Sequence, residues 1–158
     1  MSDARDITVV SESTDLTVEL GKKIGAGLKG GEIFCLTGPL GSGKTHLVKG
    51  IAAGAGTCDR RQVNSPTFVI INEYHGPGSR LDIYHIDAYR LDSIAEFEML
   101  GFDDLCCPNS VVLIEWADKV KPALKDIDSI EVELSHISQN QRQIKLVNIP
   151  TYLTNALQ

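Results

Sequence analysis

Apolar side chains recur at every fourth position from Leu16 through Leu20 and Ile24 to Leu28, directly behind Ser13-Thr14-Asp15, which can cap a helix. This spacing predicts an amphipathic helix ending at the Gly30-Gly31 pair. EIFCLT at 32–37 then reads as a short buried strand. The helical period returns from Gly43 to about Ala53, with Leu47, Val48 and Ile51 on one side. FVIINEY at 68–74 and LDIYHID at 81–87 are strand-like and separated by the turn-rich HGPGSR, which predicts a hairpin. SIAEFEML at 93–100 predicts a short helix stopping at Gly101, and SVVLIEW at 110–116 another buried strand. IEVEL at 130–134 and IKLVNI at 144–149 predict a second hairpin around SQNQ.

Strands and helices alternate in the first half of the chain, and antiparallel pairs enter later. The expected fold is therefore α/β, a mixed central sheet flanked by helices and carrying antiparallel hairpins. There is no internal repeat and no linker, and 158 residues suit one domain spanning 1–158.

GPLGSGKT at 38–45, between the first strand and the second helix, follows neither period. It fits G-x-x-x-x-G-K-[ST], the phosphate-binding loop of P-loop proteins, in the strand–loop–helix setting that motif requires. A polyphosphate needs donors on all sides. Backbone N–H groups supply them without side-chain bulk where Gly38, Gly41 and Gly43 let the chain turn tightly. The helix that begins there adds its N-terminal dipole and free N–H groups. The expected cradle runs through Gly38, Gly41, Ser42, Gly43, Lys44, Thr45 and His46. Lys44 is expected to reach the β- and γ-phosphates, and the Thr45 hydroxyl to ligate Mg²⁺.

Such a loop works with an acid at the end of a neighbouring strand, which holds the metal directly or through water. Two positions qualify. VVLIE ends at Glu115 after four apolar residues, and Asp87 stands near the end of the 81–87 strand. The pattern favours Glu115 for the metal and Asp87 for orienting the attacking water, with the reverse assignment open. His85 lies two residues before Asp87 and faces the same side of a strand. Two ligands without a third make a poor metal site, so a supporting hydrogen bond is the better reading. SPTF places Ser65 and Thr67 just before a strand, either as a γ-phosphate sensor or simply as the strand's start. Trp116 is either a ligand cover, part of a partner surface or ordinary core.

The charge of −6 argues against a nucleic-acid footprint, and Arg60-Arg61 and Lys119, Lys121 and Lys125 read as a solvated loop and helix face. Direct nucleic-acid binding is not expected. The apolar runs are too short to span a bilayer, and MSDARD does not resemble a secretory leader, so a cytoplasmic location is expected. Four cysteines without a Cys-x-x-Cys pair or zinc-finger spacing to histidine read as reduced thiols.

In this order and at these separations, GPLGSGKT, SPTF, HIDAYRL, EFEMLG and IEW resemble the TsaE family, small bacterial P-loop ATPases needed to make threonylcarbamoyladenosine in tRNA. The likeness covers roughly residues 30–120. It implies a P-loop fold that binds and hydrolyses ATP with Mg²⁺. Lys44 and Thr45 would take the loop roles, Glu115 the metal, and Asp87 the acid of the H-x-D-x-Y-R motif that matters for hydrolysis. Thr67 would fall on a switch-like loop, and Thr14 would approach the nucleotide. The resemblance also implies a protein partner, the TsaB–TsaD heterodimer, which performs the threonylcarbamoyl transfer and which the ATPase resets between turnovers. Pro39 stands where the family commonly has an acid, and removes one backbone donor from the loop.

The first rival is a small-molecule or nucleotide kinase, but no arginine-rich lid is evident: Arg60, Arg61 and Arg80 are the only arginines between the loop helix and Arg90. A GTPase would show an Asn-Lys-x-Asp guanine reader, and none is present. A nucleotide-dependent scaffold with incidental hydrolysis is not separable from an ATPase by sequence.

Overall fold

The computed structural model describes residues 4–57, 71–75, 79 and 81–157. Among these, β1 (Ala4–Ser11), β2 (Ile33–Thr37), β3 (Ile71–Tyr74), β4 (Asp82–Asp87), β5 (Ser110–Glu115), β6 (Ile130–His136) and β7 (Arg142–Pro150) form one sheet. Its order is β1-β7-β6-β2-β5-β4-β3. The four neighbours β6, β2, β5 and β4 are parallel, whereas β7 and β3 run antiparallel to β6 and β4, and β1 antiparallel to β7. This is the mixed α/β sheet with antiparallel hairpins that the pattern predicts.

The period-two alternation of the central strands sorts their side chains between two cores. Phe34 and Leu36 of β2, with Leu113 of β5 and Val132 and Leu134 of β6, pack under α1 (Thr14–Gly27) and α2 (Lys44–Gly54). Cys35, Val112, Ile114 and Ile86 face the other way. They meet Phe97 of α3 (Ile94–Met99), Phe102 of α4 (Phe102–Leu105) and Leu124 of α5 (Lys121–Leu124). β5 is buried along its whole length, as its unbroken apolar run requires of a strand covered on both faces. A last short helix, α6 (Thr151–Thr154), adds Leu153 to the first core.

Helix α1 departs from its prediction. Ser13 caps it by accepting the Leu16 N–H at 3.1 Å, but Leu16 itself is 49% exposed. The buried face is Thr17, Leu20, Gly21, Ile24 and Gly25, and the helix ends at Gly27, before Gly30. The cause is the partner. Gly21 and Gly25 oppose Gly50 and Gly54 of α2, so the two backbones touch. A Cβ on Gly50 would stand 2.3 Å from the Val18 carbonyl oxygen, and one on Gly54 2.1 Å from that of Lys22. Rising numbers on one helix meet rising numbers on the other, so both run in the same direction with their N-termini at one end.

Other differences are smaller. β1 was not predicted: its alternation of half-buried Ile7 and Val9 with exposed Thr8 and Val10 is short and weakly apolar. Of the 68–74 strand, Ile71–Tyr74 is β3 and the remainder lies outside the described residues. Gly101, at φ 75°, ends the α3 segment but also opens the unpredicted α4. Among the described residues no helix is long and apolar enough to cross a membrane.

Candidate active site

β2 delivers the chain at Thr37 to the centre of the sheet's C-terminal edge, and α2 takes it up at Lys44. Between them Gly38, Gly41 and Gly43 have φ of 145°, 77° and 103°, a region L side chains rarely enter. Gly38 is also sterically closed to any other residue, because a Cβ there would lie 2.5 Å from the Leu134 carbonyl oxygen.

Lys44 is 5% exposed and folds back over this loop. Its ammonium donates to the carbonyls of Gly38 and Pro39, the latter at 3.0 Å, and to Ser42 Oγ at 3.4 Å. It also sits 4.1 Å from the centre of the Trp116 ring. Burial pushes its pKa down, against the opposing pull of Glu115, Asp118 and Asp87.

Glu115 closes β5 and accepts two hydrogen bonds in a nearly dry setting. Thr45 Oγ1 donates to Oε1 at 3.0 Å, and His85 Nε2 donates to Oε2 at 2.7 Å. Burial alone would raise its pKa. The bond and charge of His85, the Thr45 bond and the Lys44 charge outweigh that and hold the carboxyl below its ordinary value. Asp87, at the end of β4, caps the 3-10 turn Ala88–Arg90 by accepting the Tyr89 N–H at 3.2 Å, and lies 3.5 Å from Arg90 Nε.

Lys44, Thr45, Asp87 and Glu115 thus line one cavity of about 330 Å³, walled by Tyr89 and Trp116. Trp116 was expected within the strand. Instead its φ of 58° turns the chain out of β5 and lays the indole 5.0 Å from the Tyr89 ring. A second cavity of about 370 Å³ lies across the loop, which shares Gly41, Gly43 and His46 between the two. Thr14 and Thr17 at the start of α1 line it, opposite Gln139 and Arg142. Thr14 is therefore beside the loop. Thr67 and Ser65, like Arg60, Arg61 and Arg80, lie outside the described residues.

The sequence reading missed Arg142. Its guanidinium donates to the carbonyls of Ser138, Gln139 and Gln141, and reaches Gly41 O at 3.4 Å, tying the β6–β7 hairpin to the loop. No motif announces it, because the link joins residues a hundred positions apart. Tyr89 stands inside the HIDAYRL stretch, and its place two residues after Asp87 was the available signal.

The donor set suits a hard divalent cation: a hydroxyl and an ionised carboxylate oxygen, side by side at the foot of the glycine-rich loop. Mg²⁺ characteristically takes one or two such protein oxygens and completes its shell with phosphate and water.

The model of the family described as threonylcarbamoyl adenosine biosynthesis protein TsaE matches residues 11–144. The TsaE protein of Treponema pallidum is 35% identical over 135 residues, covering 85% of this chain and 96% of its own. That of Aquifex aeolicus is 33% identical, with 87% and 93% covered, and that of Bacillus subtilis 37% identical, with 81% and 77% covered. The crystal structure of Bacillus subtilis YdiB superposes with a TM-score of 0.75 at 25% identity, over 98% of this chain and 93% of that one. With strand, loop, helix and acids in this arrangement, the chain belongs to the TsaE family of threonylcarbamoyl adenosine biosynthesis proteins.

Proposed function

We propose that this protein binds ATP with Mg²⁺ and hydrolyses it, as the ATPase component of tRNA threonylcarbamoyladenosine biosynthesis, acting on a TsaB–TsaD heterodimer. The observation that carries the reading is the 3.0 Å bond between Thr45 and Glu115, which joins the hydroxyl of the loop to the acid of a neighbouring strand. These two side chains would hold Mg²⁺. When bound, the ion offsets charge on the phosphate oxygens as the terminal phosphoryl group departs.

The remaining work falls to the chain itself. Loop N–H groups and the start of α2 hold the phosphates, and Lys44 exchanges its bonds to loop carbonyls for phosphate oxygens. Asp87, half-buried in the same cavity, is placed to orient the attacking water. The cavity beside Thr14 is the space left for the nucleoside. An acidic chain suits a subunit that works through protein contacts rather than by gripping RNA.

Calorimetry with ATP, with and without Mg²⁺, and single-turnover hydrolysis with and without the TsaB–TsaD heterodimer test this reading. Binding that requires Lys44, and hydrolysis accelerated by the heterodimer, are expected. Equal and negligible rates would favour a nucleotide-dependent scaffold, and phosphoryl transfer to a small acceptor would favour a kinase.

A further inference from the structure

We propose that His85 is a positioning residue that fixes which oxygen of Glu115 is offered to the metal. The inference rests on the Mg²⁺–ATP reading of the site but concerns a residue that touches neither ligand.

In the parallel β4–β5 ladder His85 pairs with Leu113, so Glu115 is its diagonal neighbour on the same face of the sheet. Both side chains are 7% exposed, and the Nε2–Oε2 distance is 2.7 Å. Facing a carboxylate oxygen at this distance, Nε2 is the donor of the bond. Nδ1 is the other nitrogen of the ring. It is fully buried and has no hydrogen-bond partner among the described residues.

That orphan atom separates a positioning role from packing. A buried polar atom without a partner is destabilising, a cost an apolar side chain of similar shape would avoid. What the imidazole provides in return is a rigid donor behind Glu115. With Oε2 engaged, the carboxylate cannot rotate, and Oε1 alone is presented to Thr45 and the cavity. Glu115 therefore acts as a single-oxygen ligand of fixed direction. Partners one bond removed from a metal commonly govern its affinity by 10–100-fold.

Three variants test this by calorimetry of ATP binding, alongside thermal melts. His85→Leu keeps apolar bulk without a donor, His85→Gln carries an amide N–H at a reach close to Nε2, and His85→Asn carries one too short to arrive. His85→Leu and His85→Asn are expected to lose about 10-fold or more in the Mg²⁺-dependent part of the affinity. Binding without Mg²⁺ should stay within about twofold, and His85→Gln should recover most of the loss. Equal losses with and without Mg²⁺, or a Gln variant no better than Asn, would overturn the proposal. If wild-type protein binds no ATP, the functional reading fails instead. Nitrogen NMR of the wild-type imidazole stands apart from both ligands and from folding of the variants. It should find a hydrogen on Nε2, and its absence there would overturn the assignment.

Discussion

Asp87 and Glu115 are direct partners in the β4–β5 ladder, so two carboxylates end side by side at the same edge of the sheet. Their surroundings divide them. Glu115 is buried and bonded to Thr45 and His85, whereas Asp87 is more open and spends one oxygen capping the turn that follows it. Adjacent acids with such different company suit the different tasks proposed for them, Glu115 holding a metal and Asp87 handling water.

Exchanging each acid for its amide should separate those tasks. Glu115→Gln is expected to weaken Mg²⁺-dependent ATP binding by about 10-fold or more while changing metal-free binding little. Asp87→Asn should leave both affinities near wild type and slow single-turnover hydrolysis by about 100-fold. Calorimetry and rapid quench measure the two effects, and a reversed pattern would exchange the roles.

The chain's single tryptophan lies 4.1 Å from the Lys44 ammonium. Nucleotide binding that draws the ammonium towards phosphate should therefore change Trp116 fluorescence. In Lys44→Ala the response should disappear together with at least about 10-fold in ATP affinity, since a charge-assisted contact is worth about 1.5–3 kcal/mol. An unchanged titration in that variant would contradict the cradle.

Gly50→Ala should destabilise the fold by about 2 kcal/mol, because the added methyl meets the Val18 carbonyl rather than a side chain that can turn aside. For a chain of this length that lowers Tm by about 4–8 °C. Thermal denaturation checks it, and a melting point within a degree of wild type would show that the helices can part freely.

At the mouth of the β3–β4 hairpin, His75 sits between Glu73 and Asp82, at 3.2 and 2.9 Å. The Glu73 bond, reinforced by Asp82 and the charges of both acids, raises its pKa above the ordinary 6.5 despite some burial. A raised value means stabilisation fully present below pH 6.5 and lost as pH rises through the folded-state value. His75→Gln should thus melt earlier than wild type at pH 5.5, by less than about 1 kcal/mol for so exposed a pair, with the gap closing by pH 9.

The α/β architecture and the glycine-rich turn between β2 and α2 were legible because both are written in short contiguous stretches: EIFCLT, GPLGSGKT and VVLIE place strand, turn and acid without outside help. What was hidden depends on residues distant in the chain. Leu16 obeys the helical spacing yet faces solvent, because the surface α2 offers is made of glycine backbone and accepts Gly21 and Gly25 instead. Arg142 joins the loop only when the last hairpin folds across it. Trp116 directly follows the acid that closes the strand, and its turn away from the sheet follows from a left-handed backbone that composition does not signal.

The glycine contact between α1 and α2 reaches beyond stability. Helices welded main chain to main chain cannot slide past one another, and their leading ends carry Thr14 and Thr17 on one side and Gly43 and His46 on the other. The Thr14 side of the cleft is in effect a fixed jaw. The opposing jaw, Tyr89 and Trp116, is fastened by ring contact and by the Lys119 ammonium on the Tyr89 and Leu91 carbonyls, attachments that can be exchanged one at a time. Any adjustment of the cleft therefore belongs to the aromatic jaw, while the fixed one keeps the register.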